Sequence, residues 1–190
     1  MLAACATAPT GDPVAQAAYQ TAQSEVSRLT EQANQNPLLK PWTGEYGGVP
    51  PWDQARVENL APALDLGVRL QEAEIQVIAN NPAAPTFENT IAAMQNAGRH
   101  VDRAQTIFGV MTDNMSTPEV QAVEAEWSPR LTASGNAITF NRNLFNRIHD
   151  LYERRATLGL NAHQMRLLER THDQFVRAGA AATPEQQARL

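Results

Sequence analysis

Cysteine is nearly absent from this chain of 190 residues, and aromatic side chains are scarce, with a single Cys and 6% Phe, Tyr and Trp together. One cysteine excludes an intrachain disulfide and a cysteine-based zinc site. No apolar run approaches the roughly 20 residues that a membrane-spanning helix needs. Positive charge is also limited, because 15 Lys and Arg stand against 20 Asp and Glu. A net charge of −5 without a basic cluster argues against nucleic acid as a partner.

The residues that are abundant favour helices. The chain is rich in Ala, Gln, Asn and Arg, and its charges are interspersed, as on solvated helix faces. Its length suits one domain with a sizeable buried core. We therefore predict an all-α fold, a multi-helix bundle of long antiparallel helices with a Pro/Gly-rich loop near the N-terminus.

Start and stop signals locate the first helix and the loop. Asp12 before Pro13 is an N-cap followed by proline at the first helical position, which predicts a helix to about Gln35. Residues 36–51 are interrupted repeatedly by Pro and Gly, which predicts a loop. Three aromatic residues in or beside this loop are expected to pin it onto the helical core, with ligand contact as the alternative: Trp42, Tyr46 and Trp52.

The middle of the chain predicts two longer helices. One helical region begins near Trp52, and Pro62 is expected in the first turn of its main helix. The next follows the N-cap residue Thr86, and its apolar or small residues recur at nearly heptad spacing. These residues are Ile91, Met94, Gly98, Val101, Ala104, Phe108, Met111 and Met115. Gly98 in this face would let a neighbouring helix approach closely.

Further signals divide the C-terminal part. Thr117 and Pro118 begin a helix that Pro129 is expected to kink or interrupt. A short helix carries Leu144, Ile148 and Leu151, and a final one runs from the cap Asn161 to the stop Gly179. The sequence 183–186, Thr-Pro-Glu-Gln, opens another helix just before the last residue. Because such a short helix is marginal alone, we interpret the chain as a fragment of a longer protein.

The four histidines do not form a recognisable metal motif. A zincin site needs HExxH, with two imidazoles one helical turn apart and a general-base Glu between them. None of His100, His149, His163 and His172 is followed by Glu, and none has a second His four residues later. His149 and Glu153 share a helix face and are expected to form a surface ion pair. Glu169 and His172 share another, where we expect a satisfied core histidine.

Other catalytic patterns are equally weak, so no catalytic or metal-binding residue is predicted, and substrate-binding residues are not identified. The serines lack a GxSxG context. The glycine-rich run 44–48 lacks the Lys-Ser/Thr of a phosphate-binding loop. Glu124 and Glu126 lie on different helix faces and are expected to be solvated.

Several ordered segments together carry a family resemblance. Asn81 to Ile91, followed by Ile107-Phe108 and Met111, resembles the wording NPxxPxFxNTI and VFxxM of bacterial peptidyl-dipeptidases (dipeptidyl carboxypeptidases), with Ile107 in place of the usual Val. These enzymes are zinc metallopeptidases of the thimet-oligopeptidase family. Further matches, from Asn36 to the end of the chain, are Asn36-Pro37-Leu38-Leu39, Pro51-Trp52-Asp53-Gln54, Pro62-Ala63, Arg154-Arg155 with Leu158-Gly159-Leu160, and His172 with Phe175-Val176 and Ala178-Gly179-Ala180.

The resemblance implies an almost entirely helical fold in which two lobes flank a deep channel for short peptides. It implies that residues 12–190 are the N-terminal helical region, which helps build one channel wall. The parent enzyme would remove dipeptides from peptide C-termini, with zinc and a catalytic Glu supplied by its C-terminal half. The expected partners are that catalytic half and, in the parent, short peptides. This chain alone would bind no zinc and be inactive; the alternative is a free-standing helical binding or adaptor module.

The N-terminus carries a second resemblance. Leu2-Ala3-Ala4-Cys5 is similar to a bacterial lipobox, in which the cysteine is acylated after cleavage of the signal peptide, and residues 1–11 would be its trimmed leader and tether. A lipid anchor at Cys5 would be the only membrane attachment and would imply a periplasmic location. The alternative is a chance match in a cytoplasmic protein.

Overall fold

A computed structural model of the chain describes residues 13–46 and 48–182. Within these residues the all-α prediction is confirmed, since the only β-type pairing is an isolated antiparallel bridge between Thr43 and Val49. The helices are α1 Pro13–Ala33, α2 Val57–Ala79, α3 Ala93–Asn96, α4 Arg99–Asn114, α5 Pro118–Thr139, α6 Arg142–Glu153 and α7 Ala162–Arg177. A π-helical turn, Phe87–Ala92, leads into α3, and a 3-10 turn, Arg155–Thr157, follows α6. None of the helices in the described part is long and apolar enough to cross a membrane.

Helix α2 is the central element, because it packs against α1, α4, α5 and α6. Its N-terminal half joins α1, α4 and α5 in one apolar core cluster. Its C-terminal end joins the π-helical turn, α6 and α7 in a second cluster. The fully buried leucine and isoleucine side chains of these clusters each contribute about 1.5–3 kcal/mol, and they are Leu29, Leu38, Leu39, Leu60, Leu64, Leu70, Ile91, Ile107, Leu144, Ile148, Leu151 and Leu168.

The predicted capping residues stand at the helix ends. The Thr86 hydroxyl accepts the Asn89 N–H, and the Thr117 hydroxyl accepts the Val120 N–H. The Asn161 side chain accepts two backbone N–H groups at the start of α7. At the other end of α7, Gly179 has φ +94°, and the Gly179 and Ala180 N–H groups bond back as in a Schellman motif. Local signals therefore fix these boundaries.

The single long helix predicted after Thr86 is wrong. The chain breaks at Ala97, whose backbone is extended, and at Gly98, which has φ +85°. The break is stabilised by α2, since the Gly98 N–H donates to a Glu74 carboxylate oxygen at 2.7 Å. Gly98 does allow α2 to approach, because a Cβ there would lie 2.3 Å from the Gln71 side-chain nitrogen. The predicted apolar face is otherwise largely buried, except that Met115 is exposed.

Three further expectations need correction. The second helix begins at Val57 rather than near Trp52, after a turn, so that Pro62 lies in its second turn. Pro129 does not interrupt α5, which continues to Thr139. Both prolines are exposed, so water can hydrate the backbone carbonyl that each leaves without an N–H partner.

The loop 36–56 is held differently from the prediction. Leu38 and Leu39 are fully buried, and Arg103 of α4 donates to the Leu39 carbonyl oxygen at 2.7 Å. Tyr46 is 99% exposed and Trp52 is 44% exposed. Aliphatic side chains and an arginine therefore fix this loop, and Tyr46 and Trp52 do not. The third residue of the prediction, Trp42, is half-buried with its indole nitrogen out of contact with solvent. The predictions for residues 1–12, including Cys5 and Asp12, and for the helix start at 183–186 lie outside the described residues.

Candidate functional site

Two of the four histidines come together between α6 and α7. His149 Nδ1 lies 3.1 Å from His172 Nε2, across the interface of the two helices. His149 is exposed and His172 is buried. His100, in the first turn of α4, and His163, exposed on α7, lie outside this pair.

The surface ion pair predicted between His149 and Glu153 is wrong, and the prediction of a satisfied core histidine at position 172 is met in part. No ion pair joins His149 and Glu153 in the described part of the chain. Glu169 instead lies 3.8 Å from Arg155. His172 is in the core as expected, but it is not fully satisfied, because its Nδ1 atom is buried without a hydrogen-bond partner.

A stack of flat side chains surrounds His172. The Tyr152 ring lies 3.8 Å from the His172 ring at an interplanar angle of 4°. The Arg155 guanidinium lies 3.9 Å from the centre of the Tyr152 ring. Phe145 packs near both imidazoles, with ring centroids 5.7 Å from His149 and 6.0 Å from His172. The buried imidazole is thus held in a largely aromatic setting beside a cation.

This environment disfavours the charged form of His172. Burial is the main cause that lowers the pKa of His172, and the neighbouring His149 and Arg155 add to it, while Asp173 and Glu153 act in the opposite direction. The pKa of His100 is also lowered, first by burial and then by Arg103. His100 is half-buried at the start of α4, and the ring contacts described for His172 do not include it.

The described residues do not offer a site that fits a catalytic zinc ion. Nowhere in residues 13–46 and 48–182 do three or more His, Cys, Asp or Glu side chains converge. A catalytic zinc site in a hydrolase has three protein ligands and an open position for water. The prediction that this chain binds no zinc stays a prediction.

The segment 80–91, which carries the most specific motif, is fastened to α6 mainly by Arg147, while Asn143 and Arg154 each add one hydrogen bond, to Asn80 and to the Pro85 carbonyl oxygen. Arg147 is only 7% exposed. Its Nη1 donates to the Asn81 carbonyl oxygen at 2.8 Å and to the Ala83 carbonyl oxygen at 3.0 Å. Its Nη2 donates to Asn89 Oδ1 at 2.8 Å. A buried guanidinium thus replaces the water that would otherwise hydrate these loop carbonyls.

Asn89 is the hub of the same segment. Its Oδ1 accepts the Thr86 N–H and the Thr90 hydroxyl as well as Arg147, and its Nδ2 donates to the Ala84 carbonyl oxygen. With the Thr86 hydroxyl accepting the Asn89 N–H, the pair forms a reciprocal capping box. The amide side chain is needed because one end must accept and the other must donate. The motif residues therefore build structure, and none of them is free to react.

The remaining candidates show no catalytic arrangement. Ser134 donates to Glu72 Oε1 at 3.0 Å, beside an open groove of about 500 Å³ between α1, α2 and α5, but no histidine lies there. Glu124 and Glu126 are exposed on α5. Glu126 pairs with Arg130 at 3.1 Å. In a Ser-His-Asp triad the base beside the serine is an imidazole, and the described residues place only the Glu72 carboxylate beside Ser134.

Comparison with known proteins agrees with the motifs. No protein-family model matches the chain. The chain is 37% identical over 155 residues to a dipeptidyl carboxypeptidase of Salmonella typhimurium and 36% identical over 155 residues to one of Escherichia coli. Each match covers 82% of this chain and 23% of the relative. The resemblance to dipeptidyl carboxypeptidases is therefore confirmed, and the chain spans about a quarter of the length of these relatives.

Proposed function

We propose that this chain is the N-terminal helical scaffold of a zinc dipeptidyl carboxypeptidase, a segment that helps build one wall of the peptide channel and is not catalytic alone. The similarity to two dipeptidyl carboxypeptidases over 155 residues supports this proposal. The share of those relatives that it spans, 23%, suits one structural part of a larger enzyme. The reaction would then belong to the assembled enzyme.

The observation that carries the proposal is that the central motif residue, Asn89, forms hydrogen bonds that hold the fold together. Asn89 has all its polar atoms engaged within segment 80–91 and with Arg147. Residues that bind substrate or zinc need free donor or acceptor groups aimed at the ligand. A motif residue whose polar atoms all bond to other residues of the same chain is typical of a segment that positions other elements.

In this proposal the C-terminal half of the enzyme supplies the zinc ligands and the general base. Zinc bound there would polarise the scissile carbonyl and activate water. The contribution of this chain is a rigid helical wall, anchored through α2 and through the bonds between α6 and segment 80–91. We further propose a periplasmic location with a lipid anchor at Cys5, which mass spectrometry of protein expressed from the upstream reading frame would test. An unmodified Cys5 would contradict the anchor.

The isolated chain gives the first test. Purified protein is incubated with zinc and a peptide, and release of C-terminal dipeptides is followed by mass spectrometry. We expect no release, because the described part of the chain offers no convergent set of metal-ligating side chains. Dipeptide release that a chelator abolishes would show that the chain carries its own active site.

A free-standing binding or adaptor module is the second candidate. The nearly complete exposure of Tyr46, near the exposed Trp52, favours it, because exposed aromatic residues often anchor a partner. The coding frame beyond Leu190 separates the two candidates. An HExxH motif downstream in the same frame supports the scaffold, whereas a stop codon directly after Leu190 supports the module.

A further inference from the structure

We infer that His149 and His172 form a proton-sharing clasp that holds α7 against α6 at neutral pH and loosens in mild acid. The clasp joins an exposed ring to a buried one across two helices. It is a conformational device of the fold and does not depend on the proposed function.

The ring geometry identifies the contact as a hydrogen bond in line with both rings. The ring centroids are 5.4 Å apart and the two facing nitrogens are 3.1 Å apart. The distance between centroids therefore exceeds the distance between nitrogens by about two ring radii, one for each imidazole. The planes differ by only 21°. Both nitrogens therefore lie close to the line between the ring centres, where the N–H of one ring points at the lone pair of the other.

The same geometry argues against a shared metal ion. Two imidazoles on one zinc ion direct their lone pairs at the metal from different directions, with each Zn–N distance near 2.0–2.1 Å. Here the lone pairs of His149 and His172 point at each other with no room for an ion between them. One proton, rather than a metal, fits between these nitrogens.

Protonation changes this bond in two steps. A neutral pair has one proton between the rings, and one added proton still leaves one of the two nitrogens as an acceptor. A second proton would place two N–H groups face to face at 3.1 Å. The bond is then lost and replaced by repulsion between two cations.

The groups around the buried ring oppose that second proton on balance. Burial acts most strongly, and the Arg155 cation on the far side of Tyr152 adds to it. Asp173 of α7 and Glu153 of α6 favour the charged ring. Glu169 is paired with Arg155, and Glu88 of the π-helical turn, which also packs against α7, is exposed.

The direction of the pH effect follows from these surroundings. The pKa of His172 is lower in the folded chain than the ordinary value near 6.5, so the unfolded chain binds more protons between the two values. Stability from the clasp is therefore complete above about pH 6.5 and decreases as the pH falls below it. Helix α7 is expected to lose protection first, because its contacts are concentrated on α6 and the π-helical turn.

Hydrogen exchange of the whole chain at pH 7.5 and 5.5, corrected for intrinsic rates, tests the clasp. We expect α7 amides to lose protection at pH 5.5 while α1 and α2 keep theirs. The variant His149→Asn places a non-titrating amide near the position of Nδ1 and should lose less α7 protection at pH 5.5 than the original chain, because the repulsion between two cations is removed while the burial of His172 remains. His163→Asn, an exposed change on the same helix, should behave like the original chain.

Three results would overturn the clasp. The first is α7 protection that stays unchanged down to pH 5.5 in the original chain. The second is an equal loss in the original chain and in His149→Asn, which should fold because position 149 is exposed. The third is an imidazole NMR spectrum that contradicts a shared proton, because the His149 and His172 signals change independently of each other with pH or both shift when stoichiometric zinc chloride is added.

Discussion

Arg147 of α6 donates to the side-chain oxygen of Asn89 at 2.8 Å, across 58 positions of sequence. The same guanidinium donates to the backbone carbonyls of Asn81 and Ala83, so one buried side chain makes several of the hydrogen bonds that fix the proline-containing loop before the π-helical turn. No carboxylate in the described part of the chain lies within ion-pair distance of Arg147. Neutral oxygens solvate its positive charge instead. Because three of these oxygens must face the guanidinium at once, the loop has to keep its conformation for Arg147 to stay buried.

Removal of this guanidinium should destabilise the fold. Arg147→Met keeps the apolar length of the side chain but leaves the carbonyls of Asn81 and Ala83 and the Asn89 oxygen without their donor. We expect a loss of about 2–4 kcal/mol in the free energy of unfolding, measured by urea titration. Arg142→Met, an exposed change in the first turn of the same helix, is the matched control and should change the free energy of unfolding by at most about 0.5 kcal/mol. Equal losses in the two variants would contradict the role of Arg147.

Substitution of two glycines near one helix should have opposite effects. Gly98→Ala places a side chain at φ +85° and should cost about 1–3 kcal/mol, mostly from backbone strain, since the neighbouring Gln71 side chain can move. Gly109→Ala, within α4, meets nothing within 4 Å and should stabilise by about 0.4–1 kcal/mol. Thermal unfolding of both variants measures the difference. A stabilised Gly98→Ala would mean that α3 and α4 join into one helix.

Close packing of α2 on α4 predicts a third effect. A Cβ at Gly67 would lie 2.9 Å from the Val101 Cα, which is a backbone atom and cannot turn aside. Gly67→Ala should therefore cost about 1–3 kcal/mol through overpacking. Gly135→Ala on α5, where nothing lies within 4 Å, is the control for the intrinsic gain from alanine. Chemical denaturation that finds both changes neutral would show that α2 and α4 are packed more loosely.

Glu74 should give the chain a second pH dependence. Burial is the main cause that raises the pKa of Glu74, and the Asp102 charge adds to it, while the Gly98 N–H acts in the opposite direction. The folded chain then holds this proton at a higher pH than the unfolded chain, so ionised Glu74 reduces stability at neutral pH. Glu74→Gln, which can still accept the Gly98 N–H, should be more stable than the original chain at pH 7. The gain in stability should disappear when the pH falls below the ordinary pKa of Glu, about 4.3. A gain that does not depend on pH would contradict the ionisation argument.

Features of the fold that depend on neighbouring residues in sequence could be predicted. Thr86, Thr117, Asn161 and Gly179 are cap and stop signals that act within a few residues, and the structure confirms them. The break at Gly98 could not be read in this way, because it depends on a carboxylate 24 positions earlier. Without that contact, the heptad spacing alone favours one continuous helix.

The candidate site shows the same division. The motif around Asn89 was visible in the sequence, but its partner Arg147 was not, because no spacing rule links a loop to a helix 58 positions away. Sequence spacing places His149 and His172 on shared faces with acidic residues of their own helices, because spacing identifies only neighbours on the same helix. Their actual contact arises from the packing of α6 on α7.

The most direct test of the central claim is a chimera. The segment of the Salmonella typhimurium dipeptidyl carboxypeptidase that matches this chain over 155 residues is replaced by the corresponding residues of this chain, and release of C-terminal dipeptides is measured. The scaffold account predicts a folded chimera that retains this activity, and a marked loss when Arg147→Met is added. A folded chimera with no activity, in which the unmodified parent is fully active, would contradict the account.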